Sequence, residues 1–296
     1  MGSDPILAVE VDIDDQIIEF CKAHPTLEPQ DVVRDIARIV CIANLVRNGT
    51  LDGKTMVLCG GMAMRCLESP RMSVYDGDAA SCVPVDPDSL RLAISYDEPE
   101  IAITAGPVQT GKDLITFQPV IYTARFSELP AAQDEFSLSF AQRGIELPSI
   151  TRRLRHRYPF PLLAEEIEAP IMNPEEILAE KIVAWWLFGH AKHYNDIAFL
   201  GLLLAATKQH QDPAVRRRVR GVIEKKLSIN AEISDQHQRR VEALIPVERK
   251  LRLTDPDRHV DPKQGFDTLS FLLGARPSMA TTKTSVDRYI VPLLFD

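Results

Sequence analysis

The chain has 296 residues, 45% of them hydrophobic and 26% charged, with a formal net charge of −8. That length and apolar share are those of an ordinary soluble globular protein with core enough for two modest domains or one large one. The acidic balance excludes a protein that coats nucleic acid through bulk positive charge. No apolar run reaches the ~20 residues of a membrane span, and the first residues lack a secretory pattern, so the expected location is the cytoplasm, without membrane.

In chain order, Glu28-Pro29-Gln30-Asp31 precedes apolar residues at Val32, Val33, Ile36, Ile39, Val40, Ile42, Ala43 and Val46, the spacing of an amphipathic helix ending near Asn48-Gly49. A brief apolar run within Lys54 to Cys59 reads as a strand. It stops at Gly60-Gly61-Met62-Ala63-Met64-Arg65, the start of a helix. Glycines there let the backbone approach a phosphate, whose charge the N–H groups of a helix's first turn favour. Asp76-Gly77-Asp78 follows, and if Val74 to Cys82 is a strand, both carboxylates project from one face. Two converging carboxylates suit a hard Mg²⁺ ion that also takes water and phosphate oxygens. The same triplet also suits a tight surface turn, since Asp and Gly are common turn formers.

Candidate strands follow at Leu92 to Tyr96, Ile101 to Thr104, Leu114 to Tyr122 and Phe136 to Phe140, so residues 1–160 are expected to form a mixed α/β domain. Past Pro159-Phe160-Pro161 the pattern turns helical, and residues 161–296 are expected to form a mainly helical domain. The fold class is therefore α+β, a mixed sheet followed by helices. Asn173-Pro174-Glu175-Glu176 carries an Asn cap, Pro in the first turn and an acid three residues after the cap, and Gly189 stops that helix. Further helices are expected near Asp196 to Thr207, Pro213 to Leu227, Ile233 to Val247 and Phe266 to Leu273.

Lys181 shares a helical stripe with Ile177, Ala184, Trp185 and Phe188, so it emerges from a packed side. Either its stem packs while the ammonium reaches water, or the ammonium meets the phosphates of a nucleotide. The five cysteines lack CxxC spacing and read as buried thiols, with Cys59 and Cys66 flanking the glycine pair. Two basic runs, Arg152 to Tyr158 and Arg216 to Arg220 with Lys225-Lys226 after it, read either as solvated faces or as contacts for a phosphate backbone.

Four pieces stand in one order: Gly60 to Arg65; Arg71-Met72-Ser73 leading to Asp76-Gly77-Asp78; Glu175 to Lys181; and Asn195-Asp196-Ile197. Together they resemble the AbiEii/MenT-type nucleotidyltransferase toxins, a branch of the polymerase-β-like nucleotidyltransferases. The resemblance implies Asp76 and Asp78 as metal ligands, Lys181 on the triphosphate, and Asp196 orienting Lys181 or acting as base. It also implies nucleotide contacts from Gly60, Gly61, Arg65 and Ser73, and a modification that silences the toxin at or near Ser73. Gly77 departs from the pattern, which has an apolar residue between the aspartates.

The implied activity is that of a toxin in a toxin–antitoxin system. It is an Mg²⁺-dependent transfer of NMP from an NTP to RNA, with the 3′ end of tRNA as acceptor and a cognate antitoxin as partner. Two other readings stand beside it. One keeps the site and moves the acceptor to a protein or a small molecule; the other is a degenerate nucleotide-binding module without turnover.

Overall fold

In the computed structural model, residues 5–8, 13–25, 27–70, 76–110, 114–124, 132–233, 246–261 and 277–295 are described. Two compact units divide the chain, Met1–Met172 and Asn173–Asp296. The expected division at 160/161 falls earlier, because the segment after it still belongs to the sheet: β9 (Glu168–Ile171) pairs in parallel with β1 (Met56–Cys59) and antiparallel with β8 (Ile150–Arg153).

The first unit carries a mixed nine-stranded sheet. Its other strands are β2 (Asp76–Ser81), β3 (Tyr96–Asp97), β4 (Ile101–Ala105), β5 (Val108–Thr110), β6 (Leu114–Ala124) and β7 (Ala132–Gln142). The order is β3-β4-β6-β7-β2-β1-β9-β8, with β5 on β6; β7/β2 and β1/β9 are the parallel pairs. Helix α1 (Ile13–Ala23) precedes α2 (Pro29–Arg47), which lies across β6, β7 and β9. The buried side of α2 presents Val32, Val33, Ile36, Ile39, Val40 and Leu45. Removing such side chains from water stabilises the unit by roughly 1.5–3 kcal/mol each.

Leu92 to Tyr96 does not form the expected strand. Residues Pro87–Ile94 are helix α4, because Asp86 caps it by accepting from the Ser89 backbone N–H at 2.9 Å and Pro87 supplies a ready-made first φ. Leu90 and Ile94, four apart, are buried while Leu92 is exposed, a helical period rather than an alternating one. Only Tyr96–Asp97 pairs as a strand.

Among its described residues the second unit is helical: α5 (Pro174–Phe188), α6 (Ala191–Ala206), α7 (Pro213–Ile233), a helix Pro246–Thr254, and a C-terminal segment from Met279 to Phe295. Asn173 caps α5, its side chain accepting from the Glu175 N–H at 3.0 Å. Gly189 ends α5 at φ +66, where a Cβ would overlap the carbonyl of His259. Helix α7 runs beyond the expected Leu227. The expected helix Ile233 to Val247 falls largely on residues outside the described ones, as does all of Phe266 to Leu273.

Candidate active site

In the first unit the glycine motif and the aspartate strand are brought together by antiparallel pairing. The register sets Cys59, the last residue of β1, opposite Asp78 of β2. The chain then turns into α3 (Gly60–Cys66) through Gly60 at φ +58, and a Cβ on Gly60 would overlap the Asp78 carboxylate. Glycine is needed there twice, for the left-handed backbone and for room beside the acid. Gly61 is the next residue of that turn and is buried.

Strand alternation sorts β2 into two faces. Asp76 and Asp78 are half-buried on one, while Gly77 and Ala79 are buried on the other. Parallel pairing with β7 sets Ser137 beside Asp76 and Ser139 beside Asp78, and Ser139 shares a 3.2 Å hydroxyl contact with Thr116 of β6. The Asp78 rung therefore reads Cys59, Asp78, Ser139, Thr116 across four strands. Arg143, just past β7, donates to Cys59 Sγ at 3.3 Å. Neither the serines nor Arg143 stands out in sequence, since their nearness to the aspartates depends on which strands become neighbours.

Gly77 has a structural reason. A Cβ there would stand 3.0 Å from Leu138 Cδ1 and 3.4 Å from Arg38 Cδ, so its absence admits the stem of Arg38 from α2. The Arg38 guanidinium donates to the carbonyl oxygen of Asp76 at 3.3 Å, bracing β2 from behind. It also pairs with Asp35, which accepts two bonds from Arg65, at 3.0 and 2.8 Å, and one from the Tyr158 hydroxyl at 2.6 Å. Burial alone would push the Asp35 carboxyl up, yet Arg65 and Arg38 outweigh it and hold it below its ordinary range. Arg65 is 1% exposed. Its expected contact with a nucleotide is replaced by this inward fork, which ties the glycine-motif helix to α2. Ser73, and Arg71-Met72 before it, lie outside the described residues.

Cys66 is buried and its thiol is pushed up to about 11; Cys41, also buried, is pushed up to about 12. Both stay protonated core fillers.

In the second unit, Lys181 of α5 meets Asp196 of α6, Nζ to Oδ2 at 3.2 Å, with the lysine side chain 10% exposed and the carboxylate fully buried. Trp185 and Tyr194 pack ring on ring, centroids 4.8 Å apart, holding the two helices in register for that pair. The Trp185 indole donates to the carbonyl of Arg252 at 2.9 Å, and the Tyr194 hydroxyl to that of Leu253 at 2.7 Å. The acids before Lys181 are spent on α7: Glu175 receives a bidentate Arg218 at 2.7 Å, and Glu176 and Glu180 share the buried Lys226 at 2.9 and 3.1 Å. In the other basic run the pairs lie at the surface, Arg153 with Glu166 and Arg155 with Glu68, so part of its charge is offset by neighbouring acids while both arginines stay exposed.

The donors on β2 fit a hard divalent cation. They are carboxylates on one half-open face, flanked by serine hydroxyls, and Mg²⁺ characteristically takes one or two carboxylates and fills its octahedron with water and phosphate oxygens. Among the described residues no group of three or more His, Cys, Asp or Glu is arranged to hold a metal. None of their helices is long and apolar enough to cross a membrane.

Residues 45–269 match a protein-family model described as nucleotidyl transferase AbiEii toxin, Type IV TA system. Among solved structures the chain is similar to MenT4, a nucleotidyltransferase toxin from Mycobacterium tuberculosis H37Rv. The identity is 17%, the TM-score 0.65, and the match covers 96% of this chain and 90% of that one. At that identity the likeness is one of fold. Two Helicobacter pylori proteins match at lower TM-scores, on which nothing rests. JHP933 has 14% identity, 78% of this chain and 95% of that one at 0.43; a putative nucleotidyltransferase has 15%, 78% and 98% at 0.44. No curated protein matches the sequence.

Proposed function

The chain belongs to the nucleotidyl transferase AbiEii toxin family of type IV toxin–antitoxin systems, and on that premise we propose that it moves a nucleoside monophosphate from an NTP to RNA. The acceptor proposed is the 3′ end of tRNA, the site of action the cytoplasm, and the cofactor Mg²⁺. The observation that carries this reading is the close approach of the Gly60 backbone to the Asp78 carboxylate, on a strand whose two aspartates share one half-open face.

In the transfer, an acceptor hydroxyl oxygen forms a bond to the α-phosphorus, the bond from that phosphorus to the bridging oxygen breaks, and pyrophosphate leaves. Asp76 and Asp78 would hold the Mg²⁺, which would supply charge neutralisation for the phosphate oxygens. Gly60 and Gly61 leave the backbone bare where a phosphate approaches. The Lys181 ammonium neutralises charge growing on the departing pyrophosphate, and Asp196 holds that ammonium in place or receives the proton of the acceptor hydroxyl. Arg38 and Arg65 act at one remove, fixing β2 and α3 from the buried side.

The test is incubation of the protein with total RNA and each α-labelled NTP in turn. The expected result is label in RNA with one NTP preferred, lost on Asp78→Asn and on chelation of divalent ions. Label that survives ribonuclease but not protease would move the acceptor to protein. No label from any NTP, where a known tRNA nucleotidyltransferase works, would defeat the reading.

A further inference from the structure

The helical unit contains a second concave site, apart from the Lys181–Asp196 pair, of about 510 Å³ and lined by Ala205, Lys208, His210, Gln211, Arg288 and Tyr289. Its size falls in the range of small-molecule sites. Its lining has two permanent cations and no carboxylate, in a chain whose net charge is −8. The nearby acids are engaged elsewhere: Asp287 pairs with Lys283 at 2.5 Å, and Asp212 caps α7 by accepting from the Ala214 N–H at 2.8 Å.

Two departures from regular backbone and one close helix contact build this cavity. Lys208 takes φ +60 just after α6, which is uncommon for a residue with a side chain. Residues Val286–Ile290 form a π-helical turn, a rare element that recurs at functional sites, and it sets Arg288 and Tyr289 on the cavity. Gly201 lets that turn come close to α6; a Cβ there would stand 3.0 Å from Ile290 and 3.4 Å from Tyr289.

The side chains make a coherent set. The Arg288 guanidinium lies 5.3 Å from the centre of the Tyr289 ring, and His210 meets that ring edge to face, also at 5.3 Å. A guanidinium held beside a ring presents a flat fork of donors to a phosphate, and Lys208 adds a point charge. His210 Nδ1 is buried without a hydrogen-bond partner among the described residues, a polar atom that a ligand's hydroxyl or amino group would satisfy.

We propose that this cavity binds a nucleoside phosphate, its phosphate held by Lys208 and Arg288 and its base packed against Tyr289 and His210. Either an unstacked nucleotide of an RNA strand or a free mononucleotide has that chemistry. The first source rests on the RNA-modifying reading above; the binding itself does not.

Full-length protein is titrated with a fluorescent single-stranded oligoribonucleotide and, separately, with AMP by calorimetry, both with EDTA so that metal-dependent binding at the aspartates is silent. Tyr289→Leu should weaken binding about tenfold or more, in line with the loss of one base–aromatic stack, while Tyr289→Phe retains it. Arg288→Gln and Lys208→Gln, both at exposed residues, should each weaken RNA binding and lower its salt dependence by about one ion. Losses for the oligonucleotide alone assign the site to a strand; losses for AMP as well assign it to a free nucleotide. Unchanged affinity for both ligands in Arg288→Gln and Lys208→Gln, or loss only in an Asp76→Asn/Asp78→Asn protein, would overturn the proposal. If wild type transfers no nucleotide yet its RNA binding still depends on Tyr289, the catalytic reading fails and this one stands.

Discussion

The two units handle buried charge in opposite ways. In the sheet-bearing unit, alternation along β2 puts Asp76 and Asp78 on one face and their support, Gly77 with Arg38 and Asp35 behind it, on the other. In the helical unit, Lys181 and Asp196 are at once the candidate chemical groups and a buried tie between α5 and α6. A strand can therefore separate reactivity from stability by one residue of register. A buried pair between two helices cannot.

That contrast is sharpest at Asp78. Asp78→Asn keeps shape and strand pairing but removes the charge that a cation needs, so transfer should fall by roughly 10³-fold or more while the melting temperature barely moves. Labelled-NTP transfer and a thermal melt on the same sample measure both. A loss of activity that tracks a loss of fold would erase the distinction between the faces.

Asp35→Asn is the converse variant. It leaves Arg38 and Arg65 buried with no carboxylate between them, and breaking a buried pair in this way costs roughly 3–5 kcal/mol. In a unit of this size the melting temperature should drop by roughly 10 °C. At a temperature where the variant remains folded, its transfer rate should stay within about tenfold of wild type, because the acid touches no reacting atom.

Asp196→Asn should move both quantities at once. The Lys181 ammonium, 10% exposed, loses its counter-charge, so stability should fall by roughly 1–3 kcal/mol and transfer by roughly 10²-fold. If only one of the two changed, the pair would be purely structural or purely chemical, and the two units would be more alike than their geometry suggests.

What could be read from sequence follows the same division. The Gly60 turn, the Asp76/Asp78 face and the capped start of α5 are local patterns, each set by a few neighbouring residues, and they are found where the pattern puts them. The inward turn of Arg65 is fixed by Asp35, thirty positions earlier in another helix. Ser137, Ser139 and Arg143 join the aspartates only through β7–β2 pairing and the turn beyond it, which no local pattern announces. Leu92 to Tyr96 misled because Leu92, Ile94 and Tyr96 alternate like a strand, while the cap at Asp86 had already started a helix. The π turn behind Arg288 and Tyr289 leaves no residue pattern that sequence reading used.

The smallest expected effect concerns the turn that launches β1. Asp52 accepts from the backbone N–H groups of Lys54, Thr55 and Met56 at 2.8, 2.7 and 3.1 Å and from the Thr55 hydroxyl at 2.9 Å. Slight burial would raise its carboxyl, but these donors prevail and hold it down at about 2 against an ordinary 3.8. The sign follows from linkage. A carboxyl lowered by folding stabilises the fold in full above pH 3.8, and that contribution fades as pH falls toward about 2. Asp52→Asn keeps an acceptor but carries no charge, as the protonated acid does. Denaturant midpoints of wild type and Asp52→Asn should therefore differ at pH 5 and converge as pH approaches 2. A gap that persists undiminished in acid would mean that shape rather than charge sets the turn, and that the strand leading into Gly60 owes nothing to ionisation.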